Sequence, residues 1–146
     1  MQHVLLSPLL AVGPVRLLAT RPEVLAAMGP PQASFKKTPS ALHPTDVWHD
    51  GAFQVFYRAN PPEVEYIEIS RSGTVEALLF GVDVLAAPAP RVLSIVGSQA
   101  GLKEEDGGCS YLSPALEISL WRENANDPVF ATVGIGVRGY FSSEEA

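Results

Sequence analysis

Residues 13–29, GPVRLLATRPEVLAAMG, align without a gap on residues 81–97, GVDVLAAPAPRVLSIVG, at a constant offset of 68. Seven of the 17 positions are identical: Gly13/Gly81, Leu17/Leu85, Ala19/Ala87, Pro22/Pro90, Val24/Val92, Leu25/Leu93 and Gly29/Gly97. Ala27/Ile95 and Met28/Val96 stay apolar in both copies. Self-similarity at a fixed spacing of this length marks a repeated supersecondary unit. In the first copy Thr20 can cap a helix whose early turn tolerates Pro22. Val24, Leu25 and Met28 supply an apolar stripe, and Gly29 followed by Pro30 ends it. In the second copy Pro88 and Pro90 open the helix, Val92, Leu93, Ile95 and Val96 form its buried face, and Gly97 stops it. Helices this short are not stable alone, so both are expected to dock on a sheet.

Downstream of each helix the chain reads as a hairpin. FQVFYRANPPEVEYIEIS at 53–70 aligns with EISLWRENANDPVFATVG at 117–134, with Arg58/Arg122 and Asn60/Asn124 identical and Tyr57/Trp121, Tyr66/Phe130, Glu63/Asp127 and Ile69/Val133 similar. The central Asn and Pro residues supply the turns. Pro30–Pro44 and Gly97–Gly108 read as loops. The expected fold is therefore α+β: one domain over 1–146, built as a tandem repeat of a short helix plus a β-hairpin, with units of about 4–72 and 73–141. Both helices are expected on one face of a continuous antiparallel sheet, since a hairpin with one helix buries too little by itself.

Thr20, Glu23 and Val24, followed by Met28, Gly29 and Pro31, resemble the first-helix pattern of the SmpA/OmlA family of outer-membrane assembly lipoproteins: a small residue, Thr or Ser, Glu-Val, then Leu-Gly-x-Pro. A tandem pair of such units is similar to the β-lactamase inhibitor protein architecture, which implies helices backing a sheet whose concave face grips a protein. Lipid attachment is not carried over, because no early cysteine is present, and a single cysteine cannot reproduce the inhibitors' disulfides.

Charge and composition narrow the function classes. A net charge of −6 argues against binding nucleic acid, which needs a basic footprint. An acidic surface suits a basic protein partner. Cys109 stands alone, so a reducing, cytoplasmic location is the simpler expectation. The start, MQHVLLSPLLAVGP, lacks a basic segment and is interrupted by Pro8 and Pro14, so neither export nor membrane insertion is expected.

HPTDVWHD at 43–50 places His43, Asp46, His49 and Asp50 close together, residue types that can ligate a metal, but at no familiar ligand spacing. Polar turn residues account for them, and no metal or other cofactor is expected. Cys109 lies in GGCSY, which has no nucleophile elbow, and Gly107 and Gly108 lead into a strand rather than a helix, so they make no phosphate cradle. Glu104, Glu105 and Asp106 read as a solvated loop. With no serine triad, nucleotide loop or dinucleotide fingerprint present, the expectation is a non-enzyme.

Alternation in the last hairpin sets Leu116, Ile118, Leu120, Val129, Val133, Ile135 and Val137 on a core face, and Trp121, Phe130, Arg138 and Tyr140 on the other, beside Gly134 and Gly136. The alignment adds Tyr57, Tyr66 and Glu68 to that second face. Large aromatics and Arg dominate protein interfaces. These seven residues are the expected partner-binding set. The expected function is a non-catalytic protein-binding or inhibitor protein, of the kind that acts as an immunity protein against a basic toxin domain. The alternative is a structural or assembly adaptor that forms a homodimer through the same aromatic face.

Overall fold

A computed structural model describes residues 2–141. Helix α1 (Arg21–Met28) begins for local reasons: Glu23 Oε1 accepts the Thr20 N–H at 3.0 Å while Thr20 Oγ1 accepts the Glu23 N–H at 3.4 Å. That reciprocal cap satisfies donors the first turn would otherwise orphan, and Pro22 sits where no intrahelical acceptor is available anyway. Gly29 closes the helix at φ 80. Helix α2 (Ala89–Ala100) has no side-chain cap; the Pro128 carbonyl accepts the Ala89 N–H at 2.8 Å instead. Gly97 does not stop it. The helix runs on to Ala100 and ends at Gly101 (φ 70). An interior glycine costs about 1 kcal/mol, less than is gained by fully burying Val92 and Val96, worth about 1.5–3 kcal/mol each.

The strands form two sheets. β1 (Gln2–Ser7), β2 (Ala11–Val12), β3 (Val15–Arg16), β8 (Val75–Leu79) and β9 (Val82–Asp83) make a five-stranded sheet in the order β3-β2-β1-β8-β9. The remainder are β4 (Ala33–Phe35), β5 (Thr45–Trp48), β6 (Phe53–Arg58), β7 (Glu63–Ser70), β10 (Lys103–Glu105), β11 (Ser110–Ser113), β12 (Ile118–Trp121) and β13 (Thr132–Gly136). They make an eight-stranded antiparallel sheet in the order β10-β11-β12-β13-β7-β6-β5-β4.

The expected tandem helix-plus-hairpin repeat is not the fold. The molecule is mostly β, and β1 pairs in parallel with β8, Gln2 opposite Val75 through Leu5 opposite Leu78, a contact that no chain of hairpins makes. β6–β7 and β12–β13 do occupy the two hairpin stretches, but each is the inner pair of a four-stranded meander. A two-stranded hairpin leaves both edges unpaired. Here β4 and β5 extend one side, and β10 and β11 the other. β4 and β10 are drawn from the two segments expected to be loops, and each outer edge is only three residues long.

Alternation places Phe53, Val55 and Tyr57, Ile67 and Ile69, Ile118 and Leu120, and Val133 and Ile135 on one face of the eight-stranded sheet. They join Val4, Leu6, Ala77 and Leu79 of the smaller sheet and Val24, Val92 and Val96 of the helices in one core. The helices thus share that core with a second sheet. The opposite, outer face carries Gln54, Phe56, Tyr66, Glu68, Ser119, Trp121 and Thr132, and of these only Tyr66 is buried.

Candidate interaction surfaces

The outer face brings together three of the seven expected binding residues, Tyr66, Glu68 and Trp121, and seats Tyr140 on the first of them. Tyr66 lies across Gly134, where an added Cβ would overlap its ring, and its hydroxyl is 3.0 Å from Ser119 Oγ. Tyr140 stacks on Tyr66, with centroids 4.8 Å apart and planes within 3°, and covers Gly136, where a Cβ would come within 2.9 Å of it. Phe141 meets both rings edge-on. The two glycines therefore do not leave a trough for a partner. The chain's own tyrosines fill it.

Tyr57 and Phe130 are corrections, since both lie in the core. Tyr57 is in phase with Phe53 and Val55 on its own strand, whereas Trp121 is out of phase with Ile118 and Leu120. The alignment pairs residues on opposite faces. The signal that finds Tyr57 is the Phe53-Val55-Tyr57 alternation itself. Phe130 lies outside any strand, beyond the Asn124–Asp127 turn, so the alternation carried back from β13 does not reach it. It packs edge-on to Tyr111 at 5.8 Å and under the Arg122 guanidinium at 5.2 Å. Arg138 is exposed and borders a different cavity from Tyr140.

Trp121, 44% exposed, stands on an inner strand with Ser110 and Thr132 as its cross-strand neighbours. Glu105, opposite Ser110 on β10, keeps one carboxylate oxygen buried without a hydrogen-bond partner among the described residues. Burial pushes the Glu68 carboxyl above its usual range, against the opposing pull of Lys37 and of a hydrogen bond from Tyr66. Lys37 itself lies over the Phe56 ring at 5.1 Å. Beside it a cleft of about 360 Å³ is bounded by the segment carrying Thr38, Leu42 and His43, by Phe56 and Arg58, and by Tyr140.

The His43–Asp50 cluster is dispersed. Asp46, fully buried, accepts from Arg21 Nε at 2.8 Å, Arg21 Nη2 at 3.1 Å, Ser34 Oγ at 2.6 Å and the Tyr57 hydroxyl at 2.7 Å. Burial alone would push this carboxyl up, but those donors overcome it and hold it below the usual carboxylate range. Burial, and then the Asp46 carboxylate, push the Tyr57 phenol well up. Asp46 thus clamps α1, β4, β5 and β6 together. His43 bonds to the Ala59 carbonyl, and Asp50 accepts from Gln32 Nε2 at 2.7 Å. Among the described residues no group of three His, Cys, Asp or Glu side chains is placed to hold a metal. Cys109 directs its thiol to the Glu123 carbonyl at 3.6 Å.

A groove of about 330 Å³ escapes the sequence reading altogether. It is lined by Leu9, Leu10, Leu17 and Leu18 with Arg16 and Arg138, and buried Val137 closes it. Leu10 and Leu18 are 59% and 52% exposed. Leu17 N–H donates to the Leu10 carbonyl at 2.8 Å, and Leu18 N–H to Val64 at 2.9 Å, which anchors this edge of the smaller sheet to β7. Leu9 and Leu18 hold φ of 64 and 69, a left-handed conformation that costs a non-glycine residue about 1–3 kcal/mol. The sequence signal is the pair of Leu-Leu steps, 9–10 and 17–18, each placed in a turn rather than a strand. No helix is long and apolar enough to cross a membrane among the described residues. Compared with protein families, curated proteins and solved structures, the chain has no match.

Proposed function

We propose that this chain is a non-catalytic binding protein that engages a basic protein partner through the outer face of its eight-stranded sheet. The exposure of Trp121 carries the reading: it is a large aromatic presented by a strand that is hydrogen-bonded on both sides. A rigid, half-exposed indole loses little conformational freedom on binding and offers its face to a cation. Glu68 lies on this face with its carboxylate charge incompletely compensated, and Glu105 sets a second carboxylate on the same face, in a chain of net charge −6. A partner's Lys or Arg would compensate Glu68. The stacked pair Tyr66–Tyr140 acts as a buttress beside this patch rather than as an anchor. An inhibitor or immunity protein that covers a basic toxin domain in the cytoplasm fits this chemistry.

The test is co-purification of the full chain from its host cells, with wild type compared against Trp121→Ala and Glu68→Lys. The expected result is one basic partner whose recovery falls at least about tenfold in both variants. Undiminished recovery in both overturns the reading. A homodimer that dissociates on Trp121→Asp in light scattering assigns the face to self-assembly instead.

A further inference from the structure

We propose that the groove formed by Leu9, Leu10, Leu17 and Leu18 with Arg16 and Arg138 is a second docking site, for an acidic, leucine-bearing segment of a protein partner. It is independent of the Trp121 patch. Two features of the groove point to this occupant.

The first is charge. Asp and Glu outnumber Lys and Arg by 16 to 10 in this chain, and Arg21 and Arg58 pair with Asp46 and Glu63. Arg16 and Arg138 are exposed, and among the described residues neither is paired with a carboxylate. Two guanidiniums facing one concavity suit carboxylates supplied from outside, because the planar fork matches a carboxylate two bonds at a time.

The second is the apolar lining. Leu10 and Leu18 are each more than half exposed, and both flank a concavity rather than a flat surface. Leu9 and Leu18 occupy left-handed turn positions where glycine is the unstrained choice. Two such turns, tied by the Leu17 to Leu10 hydrogen bond, hold a preformed apolar slot whose width is set by backbone. A partner leucine or phenylalanine fills such a slot as an anchor, with acidic neighbours reaching the arginines. A membrane surface fits less well. Two arginines are fewer than the clusters of about four to eight basic residues that hold proteins on anionic lipid.

Selection of a random short-peptide library on the full-length protein tests the site. Enriched peptides are expected to combine Asp or Glu with Leu, Ile or Phe. Their binding, followed by fluorescence anisotropy, should weaken at least about tenfold in Leu18→Asp and in Arg138→Glu, and weaken further with added salt. Trp121→Ala should leave it unchanged, so failure here and failure of the sheet-face reading are separable. Leu18→Asp is checked for folding by its thermal melt, and Arg138→Glu, at a solvent-exposed side chain, stands as the second variant. Enriched peptides without acidic residues, or binding indifferent to both variants, overturn the proposal, as does an absence of enrichment. Sedimentation with phosphatidylglycerol vesicles that is lost in the same variants, without peptide binding, replaces the protein segment by a lipid surface. Self-association lost in the same variants replaces it by a second copy of the chain.

Discussion

Asp46 on β5 and Glu117, just before β12, are both removed from water, at 0% and 2% exposure, yet they are held by different kinds of partner. Asp46 gathers side-chain donors from three other elements: Arg21 at the start of α1, Ser34 on β4 and Tyr57 on β6. Glu117 takes two backbone donors from one short segment, Gly139 N–H at 2.9 Å and Phe141 N–H at 3.0 Å. The difference separates two jobs. The Asp46 cluster decides whether α1 and the β4–β6 half of the sheet hold together, so its removal is felt globally. Glu117 decides where residues 139–141 lie, and through them whether Tyr140 stays stacked on Tyr66.

Asp46→Ala should be the most damaging change, since it strands an arginine, a phenol and a hydroxyl at once. A loss of about 2–4 kcal/mol is expected by urea unfolding, below the full cost of breaking a buried pair because the Arg21 side chain is 40% exposed. The pH dependence has a definite sign. The folded pKa of Asp46 lies below its unfolded value of about 3.9, so its stabilisation is fully present above that pH and fades as the pH falls through the lower folded value. A gap between wild type and variant that closes near neutral pH would contradict this clamp.

Glu117→Ala should cost about 1–3 kcal/mol, the range for leaving buried donors unsatisfied. Its signature is local. Amide exchange at Gly139 and Phe141 should quicken while Ser34 and Tyr57 keep their protection. Equal loosening around Asp46 would erase the distinction between the two sites. Arg21→Lys is milder, at about 1 kcal/mol, because an ammonium cannot supply the fork that spans both Asp46 oxygens. In an Asp46→Ala background the same change should do nothing measurable, and a double-mutant cycle reads the coupling.

Glu68 supplies the smallest and most diagnostic effect. Its folded pKa is raised, chiefly by burial, so the charged form is disfavoured in the folded state at neutral pH. Glu68→Gln should therefore unfold slightly later than wild type at pH 7, and the difference should shrink as the pH falls toward about 4.3, where the unfolded carboxyl also protonates. A destabilised Gln variant at pH 7 would mean that Lys37 fully compensates the charge.

Local readings survive in the structure where their causes are local. The Thr20 cap and the early proline of α1 act within one helical turn, and the two hairpin stretches alternate within single strands. The errors arise where a pattern is carried across a change of phase. Tyr57 keeps the phase of Phe53 and Val55 along β6, whereas Trp121 falls out of phase with Ile118 and Leu120 along β12. An alignment that keeps Tyr57 level with Trp121 then assigns it the wrong face. Phe130 is misplaced for a related reason, since the residues from Arg122 to Ala131 are not a strand and do not preserve a two-residue period.

The amino-acid order by itself determines the start of α1, the strands β6, β7, β12 and β13, and the acidic balance of the surface, because capping, alternation and charge are properties of neighbouring residues. Only the tertiary structure decides that β1 lies beside β8, that four leucines and two arginines share one groove, that Asp46 meets Arg21, and that Tyr66 and Tyr140 fill the glycine trough. Each of these joins segments far apart in the chain, and the free energy that selects them comes from burial and pairing across the folded body, which leaves no periodic trace in either segment alone.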